Sequence, residues 1–133
     1  MPTVIVVAAV VREGDRILLT RRMKGAHLEG YWEFPGGKLE EGEAPEEALV
    51  RECREECAIE IEVDDILDVA FHRYPAKDVL LLFYGCRLVA GTVEDRGVAG
   101  HAWVTPGELD RYPLPPPDAR LVAKLQGPAG PRK

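Results

Sequence analysis

A glycine pair, an acidic loop and a helix follow one another without interruption from Gly36 to Ile59 (GGKLEEGEAPEEALVRECREECAI), and this stretch constrains the chain more than any other. Pro45 suits the first helical position, and Glu46 and Glu47 sit at the positive end of the helix dipole. Ala44 is a poor N-cap, so the helix start has to lean on the preceding loop. Leu49, Val50, Cys53 and Cys57 form an apolar stripe that predicts one buried side. Beside it, Glu52, Glu55 and Glu56 are spaced i, i+3 and i+4, which gathers them within about 100° of arc. Like charges at this spacing destabilise a helix by ~0.2–0.5 kcal/mol per pair. A sequence that keeps them has a use for the charge, and a hard divalent cation is the leading candidate. The competing reading is a solvated acidic face. Glu47 and Arg51 are an i, i+4 pair on the other flank.

The flanking chain predicts mostly strands. Val4 to Val11 is a continuous apolar, β-branched run, read as a strand buried on both faces. A turn at Glu13-Gly14-Asp15 returns it as a second strand, Arg16 to Arg21. The loop Met23 to Gly30 holds His27, read as incidental. Tyr31 to Pro35 is a short aromatic strand leading into Gly36-Gly37, where missing side chains permit a tight turn or a close approach of backbone to a ligand. Ile59 to Val63, Leu67 to Tyr74 and Val79 to Val89 read as three strands, the last two joined by a hairpin at Pro75 to Asp78. Gly91 to Gly100 is a polar loop, and His101 to Thr105 resumes a strand. Thr105 and Glu108 make a capping box around Pro106, and Asp118 is placed to cap a last helix over Ala119 to Gln126. One domain over residues 1–126 is expected, followed by a disordered tail, Gly127 to Lys133.

Composition removes several classes. The chain of 133 residues is 46% apolar and 30% charged, as in globular proteins. Its longest apolar runs fall far short of the ~20 residues a membrane helix needs, and no signal peptide is visible. A cytoplasmic protein without a membrane partner is the expectation. A net charge of −6 argues against a nucleic-acid surface, but not against a small phosphorylated ligand, because bound metal inverts the local field. Three cysteines are too few for a disulfide scaffold, and Cys53 and Cys57 read as buried thiols.

Magnesium takes two or three carboxylates and fills its remaining positions with water and phosphate oxygens. The acidic stripe, the glycine pair and Arg51 together suit metal-assisted attack of water on a phosphoanhydride. The full string is Gly37, five residues, Glu43, seven residues, Arg51-Glu52-Cys53, one residue, Glu55-Glu56. It resembles the signature of the Nudix hydrolases, and the lead-in WEFPGGK resembles the MutT-like branch of that family. The resemblance extends more loosely from the first strand to the LVAKL of the last helix.

That resemblance implies an α/β (α+β) fold, an α/β/α sandwich with a mixed β-sheet between helices. It implies Mg²⁺, with Mn²⁺ as a substitute, and hydrolysis of a nucleoside triphosphate to a monophosphate and pyrophosphate. Carried over by position, Glu52, Glu55, Glu56 and the Gly36 carbonyl would be metal ligands, and one of the glutamates would orient or deprotonate water. Arg51 and Glu43 would support this catalytic loop and helix. Arg22, Phe34, Lys38 and Asp118 would bind the nucleotide, with Asp118 at the base. Phe34, Tyr74 and Phe83 read first as core residues. Two departures stand out: Ala58 replaces the usual glycine after the glutamate pair, and Cys53 replaces a larger aliphatic residue. No carboxylate falls cleanly at the place of the extra loop glutamate of MutT-like proteins, which leaves Glu94 or Asp95. Two rival readings remain: a Nudix enzyme for another nucleoside diphosphate derivative such as ADP-ribose, and a non-hydrolytic nucleotide sensor. A small-molecule nucleotide is the expected partner, bound by a monomer or homodimer.

Overall fold

The computed structural model describes residues 2–127, so the expected tail lies beyond it except for Gly127. Seven strands form one sheet: β1 (Thr3–Glu13), β2 (Arg16–Arg21), β3 (Trp32–Glu33), β4 (Gly36–Lys38), β5 (Glu60–Tyr74), β6 (Lys77–Ala90) and β7 (Gly100–Val104). The main path runs β3-β2-β1-β6-β5, with β4 also on β1 and β7 also on β2. β1 and β6 run parallel, from Thr3 opposite Asp78 to Arg12 opposite Arg87, and all other pairings are antiparallel. The sheet is therefore mixed. Helix α1 (Pro45–Cys57) covers one face and α2 (Ala119–Gln126) the other, which makes the expected α/β/α sandwich.

Alternation along β1 builds both cores at once. Val7, Ala9 and Val11 point to the α1 side and pack with Leu49, Cys53 and Cys57. Ala8 and Val10 point the other way, to Phe34, Phe83, Leu109 and Leu121. A strand buried on both faces was the reading of Val4 to Val11; Val7 to Val11 are buried, whereas Val4 and Val6 are half-buried and Ile5 is exposed. The three cysteines are free and buried, and burial pushes the thiols of Cys57 and Cys86 up to about 12.

Four local expectations need correction. Gly36 and Gly37 form a strand, not a turn: a Cβ at Gly36 would come within 2.0 Å of the Val7 carbonyl oxygen, so only glycine lets β4 pair with β1 so closely. Ile59–Val63 and Leu67–Tyr74 are parts of one long strand, β5, because irregularities between Val63, Ile66 and Asp68 absorb the acidic interruption without ending the pairing to β6. Glu47 does not pair with Arg51: its carboxylate accepts the Ala44 N–H at 2.9 Å, which supplies the helix start with the acceptor that alanine lacks. Helix α1 ends with Ala58 itself left-handed, at φ 60° and ψ 31°, its N–H donating to the Arg54 carbonyl at 3.1 Å.

Candidate active site

The acidic loop between β4 and α1 folds back onto Arg51, in the middle of the helix. Its Nε and Nη2 reach the two oxygens of Glu43 at 2.6 and 3.0 Å, and its Nη1 lies 3.3 Å from both Glu52 Oε2 and Glu55 Oε1. The fork ties the acidic loop to the helix, holds the Glu43 carboxyl below its ordinary range and keeps the guanidinium firmly charged. The three stripe glutamates differ in setting. Glu52 is 14% exposed, Glu55 is 61% exposed, and Glu56 is half-buried. Burial raises Glu52, offset in part by Arg51. Burial also raises Glu56, up to about 8, helped by the neighbouring charges of Glu52 and Glu33.

Glu52 lies directly under β4. A Cβ at Gly37 would sit 2.3 Å from Glu52 Oε2, so glycine there makes room for the carboxylate. On its other side β4 forms the floor of a cleft. Gly36, Gly37 and Lys38 line it together with Arg22, Phe34 and Asp118, so the residues expected at the nucleotide do share one cavity. The wall is apolar, with Leu81, Phe83 and Pro117, and Phe34 packs edge-on to Phe83 at 6.2 Å. Phe34 and Phe83 are thus core residues that also show a face to the cleft.

Sequence reading missed three groups here. Glu33 is half-buried in the cleft and bound to Arg22 Nη1 at 2.7 Å; partial burial raises its pKa more than Arg22 lowers it. A carboxylate between two aromatic residues of a short strand was the available signal. His27, read as incidental, also lines the cleft: its ring meets Tyr74 edge-on at 5.2 Å and its carbonyl accepts from Arg22 Nε. Lys77, at the β5–β6 turn, adds a third cation beside Arg22 and Lys38. Only the tertiary fold brings it there.

Asp118 stands at the expected N-cap position of α2, yet its side chain makes no capping bond. It is 3% exposed and faces the cleft instead. Burial, then the charge of Glu33, pushes its carboxyl up to about 7. The extra loop carboxylates are engaged elsewhere. Glu94 binds Arg96, and Asp95 lies 2.6 Å from His101 Nδ1. That loop is strapped to the end of α1 by the N–H groups of Glu94 and Arg96 on the Cys57 and Glu56 carbonyls.

Among the described residues, no three acidic, histidine or cysteine side chains converge into a ready-made metal cage. An open, under-neutralised carboxylate set fits a divalent ion that completes its coordination with water and phosphate oxygens. Burial is the first cause of the raised Glu52 and Glu56 carboxyls, and the charge of a neighbouring glutamate adds to it in each.

A model of the NUDIX domain family matches residues 6–124. The chain is 35% identical to the CTP pyrophosphohydrolase of Escherichia coli K12 over 92% of its own length and 90% of that protein. It is 40% identical to the 8-oxo-dGTP diphosphatase of Proteus vulgaris over a shorter match, 53% of this chain and 62% of that protein. The crystal structure of the MutT protein from Methanosarcina mazei Go1 superposes with a TM-score of 0.84 at 27% identity, covering 94% of each chain. The chain belongs to the Nudix hydrolase family, in its MutT-like branch. Members of this family use divalent cations.

Proposed function

We propose that this Nudix hydrolase splits nucleoside triphosphates with Mg²⁺ into a nucleoside monophosphate and pyrophosphate. The observation that carries the reading is the double contact of β4. One side of this strand meets Glu52, and the other floors an apolar cleft rimmed by Arg22, Lys38 and Lys77. A base can be buried against Phe34, Phe83 and Pro117 while its phosphates pass over the glycines towards the acidic helix. The relative matched over nearly its whole length, named as a CTP pyrophosphohydrolase, supports the same reaction class.

Glu52, Glu55, Glu56 and the Gly36 carbonyl would hold the ion, which when bound neutralises charge developing on the phosphate oxygens. Lys38 and Lys77 counter the phosphate charge from the cleft side. Arg51 fixes the direction of Glu52 and Glu55 through its fork on Glu43. One of the stripe glutamates accepts the proton of the attacking water. The substrate would be drawn from a cytoplasmic nucleotide pool.

Asp118 gives the cleft its base preference. A neutral carboxyl donates through its hydroxyl and accepts through its carbonyl, which matches an edge with adjacent acceptor and donor, as in cytosine N3 and N4. An ionised carboxylate only accepts, which suits the guanine N1–H and N2–H pair. Because its pKa is pushed up to about 7, Asp118 carries both forms near neutrality. The test compares kcat/KM for 8-oxo-dGTP, dCTP, 5-methyl-dCTP, CTP, dGTP and ADP-ribose. A triphosphate should lead, and the dCTP-to-dGTP ratio should fall as pH rises through about 7. ADP-ribose as the best substrate would overturn the reading.

A further inference from the structure

Asp118 makes no hydrogen bond through its carboxyl among the described residues, is desolvated, and faces the like charge of Glu33. Nothing at its own side chain favours that position, so the backbone must be held there from elsewhere. Two residues further on, Arg120 reaches back across the sheet to β5. Its Nε and Nη2 grip Asp68 Oδ2 and Oδ1 at 2.9 and 2.8 Å, and Nη2 also donates to the Val69 carbonyl. One turn later, Lys124 Nζ lies 3.2 Å from Asp68 Oδ1 and 3.4 Å from the Leu67 carbonyl.

Asp68 is the buried member of this triad, 6% exposed, whereas Arg120 is 65% exposed. Two cations satisfy its oxygens, and these bonds hold its carboxyl down at about 2. Its place at the β5 irregularity turns it towards α2. Leu121, Val122 and Leu125 pack α2 on the core, and Gln126 Nε2 donates to the Pro106 carbonyl at 3.2 Å, which ties the far end of the helix. The first turn, next to Asp118, has its polar tie in the contact of Arg120 with β5. A bidentate fork two residues from Asp118 fixes that turn, because its planar geometry accepts only one approach.

We propose that Asp68, through its grip on Arg120 and Lys124, is a positioning residue that sets nucleobase selectivity by holding Asp118 in the cleft. The inference rests on Asp118 as the group that reads the base. Asp68 itself does not line the cleft, although its main chain pairs with that of Phe83 in the cleft wall.

The experiment measures selectivity, the ratio of kcat/KM for the best and worst nucleoside triphosphate of the panel, in Arg120→Ala, Asp68→Asn, Asp118→Ala and the Arg120→Ala/Asp118→Ala pair. Arg120→Ala alters a mostly exposed side chain and keeps the fold testable if Asp68→Asn does not fold. Selectivity in Arg120→Ala should drop at least tenfold, towards the Asp118→Ala value, with kcat on the worst nucleotide within about threefold of the parent protein. The double variant should lose no more than Asp118→Ala alone, because the two act in series. A purely structural role would instead lower the melting temperature and reduce all nucleotides alike. Selectivity within twofold of the parent in Arg120→Ala, together with its collapse in Asp118→Ala, overturns the positioning role and leaves the base-reading assignment standing. Unchanged selectivity in Asp118→Ala overturns both.

Discussion

Gly37 shows how one missing side chain joins two halves of a site. Its position is incompatible with a Cβ because Glu52 occupies that space. Alanine there pushes on the end of a side chain rather than on backbone, so the fold has an outlet: Glu52 swings away. Gly37→Ala should therefore cost little stability, roughly 1 kcal/mol, while lowering kcat/KM more than tenfold. Thermal melts and kinetics on the same sample check this, and full activity would show that the direction of Glu52 is unimportant. At this scale the sequence was readable for chemistry and unreadable for direction. The spacing of Glu52, Glu55 and Glu56 placed them on one stripe, but not their exposure, which ranges from 14% at Glu52 to 61% at Glu55. Asp118 was legible as the residue before a helix. The chain on either side of it is held by partners a local window cannot show: the Asp118 N–H donates to the Pro115 carbonyl at 3.0 Å, and Arg120 is gripped by the distant Asp68.

At the scale of elements, α1 is where local signals agree best. Pro45, the first-turn glutamates and the apolar stripe predict its start and buried side, and the helix runs Pro45–Cys57 as those signals require. Its end is the exception. Ala58 adopts the left-handed conformation that glycine occupies without penalty, a strain of about 1 kcal/mol for an L-residue. Ala58→Gly should raise stability by up to about 1 kcal/mol, seen as a higher melting temperature, with kcat unchanged. A lower melting temperature would mean that the methyl group packs usefully. β5 was the element least legible in sequence. Asp64 and Asp65 resemble a break, yet Arg87 on the neighbouring strand binds Asp64 at 3.0 and 3.1 Å and the strand continues past them. Pairing partners from the other end of a hairpin are invisible to a local window.

Over the whole molecule, the sheet separates two tasks. The α1 face carries the carboxylates, the α2 face carries Asp118 and the apolar cleft wall, and β1 pairs with the strand that both share. A net charge of −6 repels nucleotides at long range, so the cations Arg22, Lys38 and Lys77 have to act locally, inside the cleft. On the proposed function the α1 glutamates, with Glu52 directly beneath Gly37, drive release of pyrophosphate from a triphosphate. ³¹P NMR of the products formed from the best nucleotide of the panel, with Mg²⁺ and with chelator, for the parent protein and Glu52→Gln, tests it most directly. The parent protein should yield pyrophosphate and monophosphate only when Mg²⁺ is present, and Glu52→Gln should slow this by about 10²–10⁴-fold. Release of inorganic phosphate in place of pyrophosphate, or an unchanged rate in Glu52→Gln, would contradict the account.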